Sequence, residues 1–137
     1  MGVMNVEIEP QIDAINWTED IPETNFNSAV QYLALLTSLN KSLEITDRLR
    51  DYDYVRYQFP GTILRATGLN PLQVTDKAVQ NALRAIGSKE TIPYPLLVQS
   101  RRQERIHVVD GYEAISAAHY LHPERNIPCI IVPWDYE

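Results

Sequence analysis

The chain has 137 residues, 45% hydrophobic and 22% charged, values that place it with globular proteins and exclude a disordered one. Its formal net charge of -6 excludes a general nucleic-acid binder, because phosphate contacts demand a basic face. No apolar run reaches the roughly 20 residues of a membrane span, and the opening MGVMNVEIEP has neither the basic start nor the apolar stretch of a secretory signal; a cytoplasmic protein with no membrane contact is expected.

Residues 1–24 carry Glu7, Glu9, Asp13, Glu19, Asp20 and Glu23 among few apolar side chains, and read as an acidic, loosely ordered arm. A single domain then runs over residues 25–137. NFNSAVQYLALLTSL repeats Val30, Leu33, Ala34, Leu36 and Leu39 at close to helical spacing, with Asn25 or Asn27 as its cap. Ser42 caps a second helix through KSLEITDRLRDY, whose Leu43, Ile45, Leu49 and Tyr52 share a face. Together they predict a helical hairpin over residues 25–52. YVRYQF alternates Val55, Tyr57 and Phe59 against Arg56 and Gln58, a half-buried strand that Pro60-Gly61 ends in a turn; ILRAT fits a helical turn or a strand equally.

Asn70-Pro71 breaks the chain, and Thr75 caps a helix through DKAVQNALRAI that stops at Gly87, with Val79, Ala82, Leu83 and Ile86 as its stripe. Three elements follow the loop SKETIPY: a strand PLLVQS, a strand RIHVVD across the polar turn RRQE, and a helix YEAISAAHYL. The last strand, IPCIIVPW, is nearly continuous in apolar residues and is expected to be central or covered on both faces. The fold class is α+β, helices packed on a small mixed sheet, preceded by the helical hairpin.

Some side chains have both an ordinary and a chemical use. Cys129, the one cysteine, lies in an apolar run and reads as a buried structural thiol rather than a reactive one. His119 and His122 are three apart on one helix and could share a metal with Glu113 or Glu124, but the spacing matches no zinc motif, and a helix C-terminus favours such side chains anyway. No metal site is predicted. His107 alternates outward on its strand and is expected at the surface. Arg101, Arg102 and Arg105 form the one dense basic cluster, expected to be a solvated hairpin turn. Tyr52, Tyr54, Tyr57, Tyr94 and Tyr112 lie near the YVRYQF strand or the Asp110-Gly111 turn, where an apolar body with a polar tip suits core edges and interfaces alike. Trp17 and Trp134, large rings in terminal segments, need a covering surface from this chain or another.

The order from Leu72 to Val132, carried by PYPLLV (93–98), IHVVDGYEAISAA (106–118) and IPCIIV (127–132), resembles the N-terminal domain of the ParB and sulfiredoxin superfamily. Members include CTP-binding partition proteins, ATP-dependent sulfinic acid reductases, nucleases and a free-serine kinase, and the turn after the VVDG-like strand meets the nucleotide's phosphates. The resemblance therefore implies a ligand turn at Asp110, Gly111, Tyr112 and Glu113, with Tyr94 and Arg105 as neighbours. The family follows its DG with one or two variable residues and then arginine, or with Gly-Glu-Arg-Arg. Here Tyr112, Glu113 and Ala114 stand in those positions. Arginine grips phosphate oxygens in pairs, alanine offers nothing and glutamate repels an anion, so the nucleotide motif is degenerate.

Asp110 and Glu113, three apart ahead of a helix, form the pattern of a capping box. The same two carboxylates would serve acid/base chemistry, or hold a cationic or polar ligand. Two functions follow as expectations. One is a non-catalytic ParB-like binding or regulatory module with no cofactor, acting through a protein partner or self-association. The other is a nucleotide- and magnesium-dependent enzyme, a nuclease or phosphotransferase, with Asp110 and Glu113 catalytic.

Overall fold

In the computed structural model the described residues are 15–52, 55–102 and 104–134. The elements run β1 (Trp17–Thr18), α1 (Glu23–Ala34), α2 (Leu39–Arg50), β2 (Arg56–Gln58), α3 (Pro60–Thr67), α4 (Lys77–Gly87), β3 (Ile92–Pro93), β4 (Leu96–Ser100), β5 (Arg105–Asp110), α5 (Tyr112–Leu121) and β6 (Ile127–Trp134). Four strands make a mixed sheet in the order β2-β6-β4-β5, with β6 and β4 parallel and the other two pairs antiparallel. The α+β class and the small mixed sheet stand as the sequence predicts.

Period-two alternation sorts the core into two layers. Leu96 and Val98 of β4, Val109 of β5, and Ile130, Val132 and Trp134 of β6 pack against Phe26, Ala29 and Leu33 of α1 and Ile45 and Leu49 of α2. From the other face, Leu97, Val108, Ile127 and Cys129 meet Ile63 and Leu64 of α3 and Ile115 and Ala118 of α5. Strand β6 is therefore central and covered on both faces, which explains why IPCIIVPW carries almost no polar residue. Helix α4 lies beside α5, where Ile86 packs with Ala114, Ala117 and Ile92. The small residues of YEAISAAHYL allow that close approach, and Ser116 ties the preceding loop by accepting from the Leu72 N–H at 3.0 Å.

The helical hairpin exists, but its faces differ from the expected ones. Helix α1 starts at Glu23 after Pro22 with no side-chain cap and ends at Ala34, so Leu36 and Leu39 lie beyond it and do not continue its stripe. The buried face is Phe26, Ala29 and Leu33. Helix α2 is capped by Ser38, whose hydroxyl accepts from the Lys41 N–H at 3.2 Å. Ser42, the expected cap, is buried one turn inside and donates to the Leu39 carbonyl at 2.7 Å. Arg50 closes the open end of the hairpin, bonding Glu23 at 2.6 Å and Asp47 at 2.7 Å while lying over the Phe26 ring.

Strand β2 is not half-buried: all three residues are exposed, and Tyr57 is 61% exposed. It is a short edge strand paired on one side alone, so its alternation has no layer to serve. Pro60-Gly61 is not a turn but the start of α3, where proline's missing N–H costs nothing; ILRAT is accordingly helical. Asp76, not Thr75, caps α4, its Oδ1 accepting from the Ala78 N–H at 2.9 Å, and Gly87 is the last helical residue.

The expected arm is partly docked. Residues 1–14 lie outside the described residues, but Trp17–Thr18 pairs with Ile92–Pro93, and Ile15 and Trp17 pack into the core beside α3 and α5. Trp134 is buried, so both tryptophans are covered within this chain. No helix among the described residues is long and apolar enough to cross a membrane.

Candidate functional site

The Asp110-Gly111 turn joins the end of β5 to α5. Gly111 has φ 94°, and an added Cβ would stand 2.9 Å from the Pro95 Cα. Glycine is required twice, once for the left-handed backbone and once for the close approach of the next strand. Its position decides how α5 begins. Gly111 is the N-cap residue and no side chain caps the helix.

The capping box is therefore not formed. Asp110 is still extended, the last residue of its strand, and its side chain turns to α1, where the Asn25 side-chain N–H donates to Oδ2 at 2.8 Å. With the cap moved to Gly111, Glu113 falls at the second helical position instead of the third, one residue out of register for the reciprocal bond. It keeps the general benefit of an anion in the first turn.

A groove of about 350 Å³ opens at this turn. Asn25 from α1, Asn81 from α4, Asp110 and Glu113 supply its polar side chains, over Ile92 and Ala114. No lysine or arginine is among the described residues lining it. Arg84 donates to the side-chain oxygen of the lining Asn81 at 3.1 Å. Burial, and to a smaller extent Glu113, pushes the Asp110 carboxyl up to about 6 against the opposing Asn25 hydrogen bond.

Of the six ligand candidates, Asp110, Gly111 and Glu113 line this groove together. Tyr112 does not: its hydroxyl donates to the Asn70 carbonyl and its ring packs with the α3 and α5 core, beside a separate depression. Tyr94 is half-buried against the hairpin-side core, where burial raises its hydroxyl's pKa. Arg105 is at the far end of β5, about 16 Å away by strand rise, close to Gly68 at the end of α3. Arg101 and Arg102 are exposed in the hairpin turn, as expected. Tyr54 lies outside the described residues.

Asn25 and Asn81 were not legible as site residues. Asn25 reads as a helix cap in the sequence, and which element its amide reaches depends on how the hairpin sits over β5. Elsewhere, Cys129 is buried and its thiol pushed up to about 12, the inert state expected of it. His107 is half-buried rather than at the surface, its ring 5.7 Å from that of Trp134. No group of three or more His, Cys, Asp or Glu able to share a metal is present among the described residues.

Comparison of this chain with known protein families, with curated proteins and with solved structures finds no match.

Proposed function

We propose that this chain is a ParB/sulfiredoxin-like binding or regulatory module with a degenerate nucleotide site, acting in the cytoplasm through protein contacts rather than catalysis. One observation carries the reading. Where such a scaffold would meet phosphates, the groove at the start of α5 offers two carboxylates and two amides and no cation among its described lining residues. Ala114, at an expected arginine position, is buried against Ile86 and Ile92, so a long cationic side chain has no room there. Helix α5 still presents backbone N–H groups, but Glu113 in its first turn repels an approaching anion.

Calorimetry and thermal shift with ATP, CTP, ADP and CDP, each with and without magnesium, test this directly. No heat and no rise in melting temperature are expected at millimolar nucleotide, since a ligand binding the folded form alone must raise stability. Micromolar affinity for any of them overturns the proposal.

The enzyme reading has one observation in its favour. A carboxyl pushed up to about 6 beside a second carboxylate is a usual setting for acid/base work, and magnesium is commonly held by one or two carboxylates together with substrate phosphates. Magnesium-dependent nucleotide binding that is lost in Asp110→Asn would select this reading over the first.

A further inference from the structure

The two faces of the sheet are unequally covered at the end where β4 turns into β5. On the hairpin side Val98, Ser100 and Trp134 are buried. On the other side α3 has eight residues, about 12 Å of helix, and leaves part of the face bare: Gln99 is exposed, and Ile106 and Ile131 are half-buried. Between α3 and the strands lies a slot of about 50 Å³ lined by Ile63, Leu97, Ile106, Cys129 and Ile131.

The lip of this slot is basic. Arg56 and Thr62 line it, and Arg65, exposed on α3, donates to the Thr62 hydroxyl at 3.2 Å. Arg105 precedes the lining Ile106, and its guanidinium lies beside Gly68, two residues after the lining Ala66. Among the described residues no Asp or Glu lines the slot or pairs with these three arginines, although the chain has 18 acidic residues against 12 basic ones. Thr62 is also in the first turn of α3, where the helix dipole favours a carboxylate.

We propose that this slot docks an acidic peptide segment of a protein partner, one aliphatic side chain entering the slot and carboxylates on either side of it meeting the arginines. Size selects the anchor. About 50 Å³ takes about four water-sized groups, the number of carbons in a leucine side chain and fewer than the six ring atoms of the smallest nucleobase. Charge selects what flanks it, since each guanidinium binds carboxylate oxygens in pairs. Three strand spacings, about 14 Å, separate the strands of Arg56 and Arg105, the reach of an extended segment of about five residues.

This inference deepens the protein-contact part of the proposed function. Nucleotide binding is read at the Asp110 groove, toward the opposite end of β5, so it would overturn that groove's reading and leave the slot untouched.

Titration of the isotope-labelled full chain with the blocked pentapeptide EELEE to about 5 mM, followed by amide NMR shifts, tests it. Saturating shifts are expected at Thr62, Ala66, Ile106 and Ile131. Binding should be about tenfold weaker for EEGEE, which lacks the anchor, and for QQLQQ, which lacks the charge. Arg65→Glu should weaken EELEE about tenfold, and Ala66→Leu, which fills the slot from α3, should abolish its binding. Arg65 is exposed, so the first variant reads binding even where the second disturbs α3. No saturating shift, or equal binding of EELEE and EEGEE, overturns the proposal. So does an oligothymidylate that moves the same amides more strongly than EELEE, or movement of those amides with protein concentration alone, which marks a second copy as the occupant.

Discussion

Helices α4 and α5 each follow an aspartate, and the two carboxylates do different work. Asp76 is exposed, sits at the N-cap of α4 and accepts the Ala78 N–H. Asp110 stands one residue too early, because Gly111 takes the cap position of α5, and its carboxylate goes sideways to Asn25. One is a local cap that its own helix uses; the other is a half-buried group that joins the hairpin to the groove. The glycines repeat the contrast. Gly87 closes α4 with nothing within 4 Å of an added Cβ, while Gly111 is pressed on Pro95.

The largest expected effect separates those glycines. Gly111→Ala must bear a left-handed backbone and a 2.9 Å approach to Pro95, and should cost about 3 kcal/mol or more in denaturant unfolding. Gly87→Ala should be neutral or gain up to about 1 kcal/mol. Equal effects would break the comparison.

Next comes pH. Asp110 titrates near 6 in the fold against an ordinary 3.8, so between about pH 4 and pH 6 the native state holds more protons than the unfolded chain. Stability therefore falls as pH rises through that window. The shift corresponds to at most about 3 kcal/mol, which solvent on the exposed side reduces to about 1–2 kcal/mol. Asp110→Asn, uncharged throughout, should match the wild type near pH 4 and exceed it by that amount at pH 8. Parallel stability profiles would show that Asp110 titrates normally.

Asp76→Ala should cost about 1 kcal/mol at both pH values, the ordinary loss of a cap; a cost that vanished at pH 4 would mean charge rather than the hydrogen bond matters there. Smallest is Glu113→Gln, about 0.3–1 kcal/mol from the lost anion in the first turn of α5. It should also lower the Asp110 midpoint in a carboxyl NMR titration. An unmoved midpoint would show that the two carboxylates do not sense each other.

Much of the C-terminal half was legible because each of its elements carries a strong local signal. PLLVQS, RIHVVD, YEAISAAHYL and IPCIIVPW appear within a residue of their predicted bounds. The hairpin was legible as two helices but not in its faces. Leu36 and Leu43 fit an apolar stripe on paper and are exposed, while Phe26 and Ala29 lie beneath, because α1 ends at Ala34 before it reaches Leu36, and Leu43 stands about 200° around α2 from the buried Ile45. Tyr57 and Phe59 alternate like a half-buried strand, yet burial there depends on a second layer that the edge position does not have.

At the site, Asp110, Gly111 and Glu113 were found by motif, and their roles were decided elsewhere. The sequence by itself determined the strand–glycine–helix junction and the Tyr112-Glu113-Ala114 that follows it with no arginine, since these are properties of adjacent residues. The tertiary structure alone decided that Asn25 crosses to Asp110, that Asn81 shares its groove, that Arg105 and Tyr112 are directed away, and that the leucines of the hairpin tip face outward. Each is a relation between segments distant in the chain, set by which faces pack on the sheet; a one-residue displacement of the cap from Asp110 to Gly111 was enough to turn a predicted helix cap into a carboxyl held near pH 6.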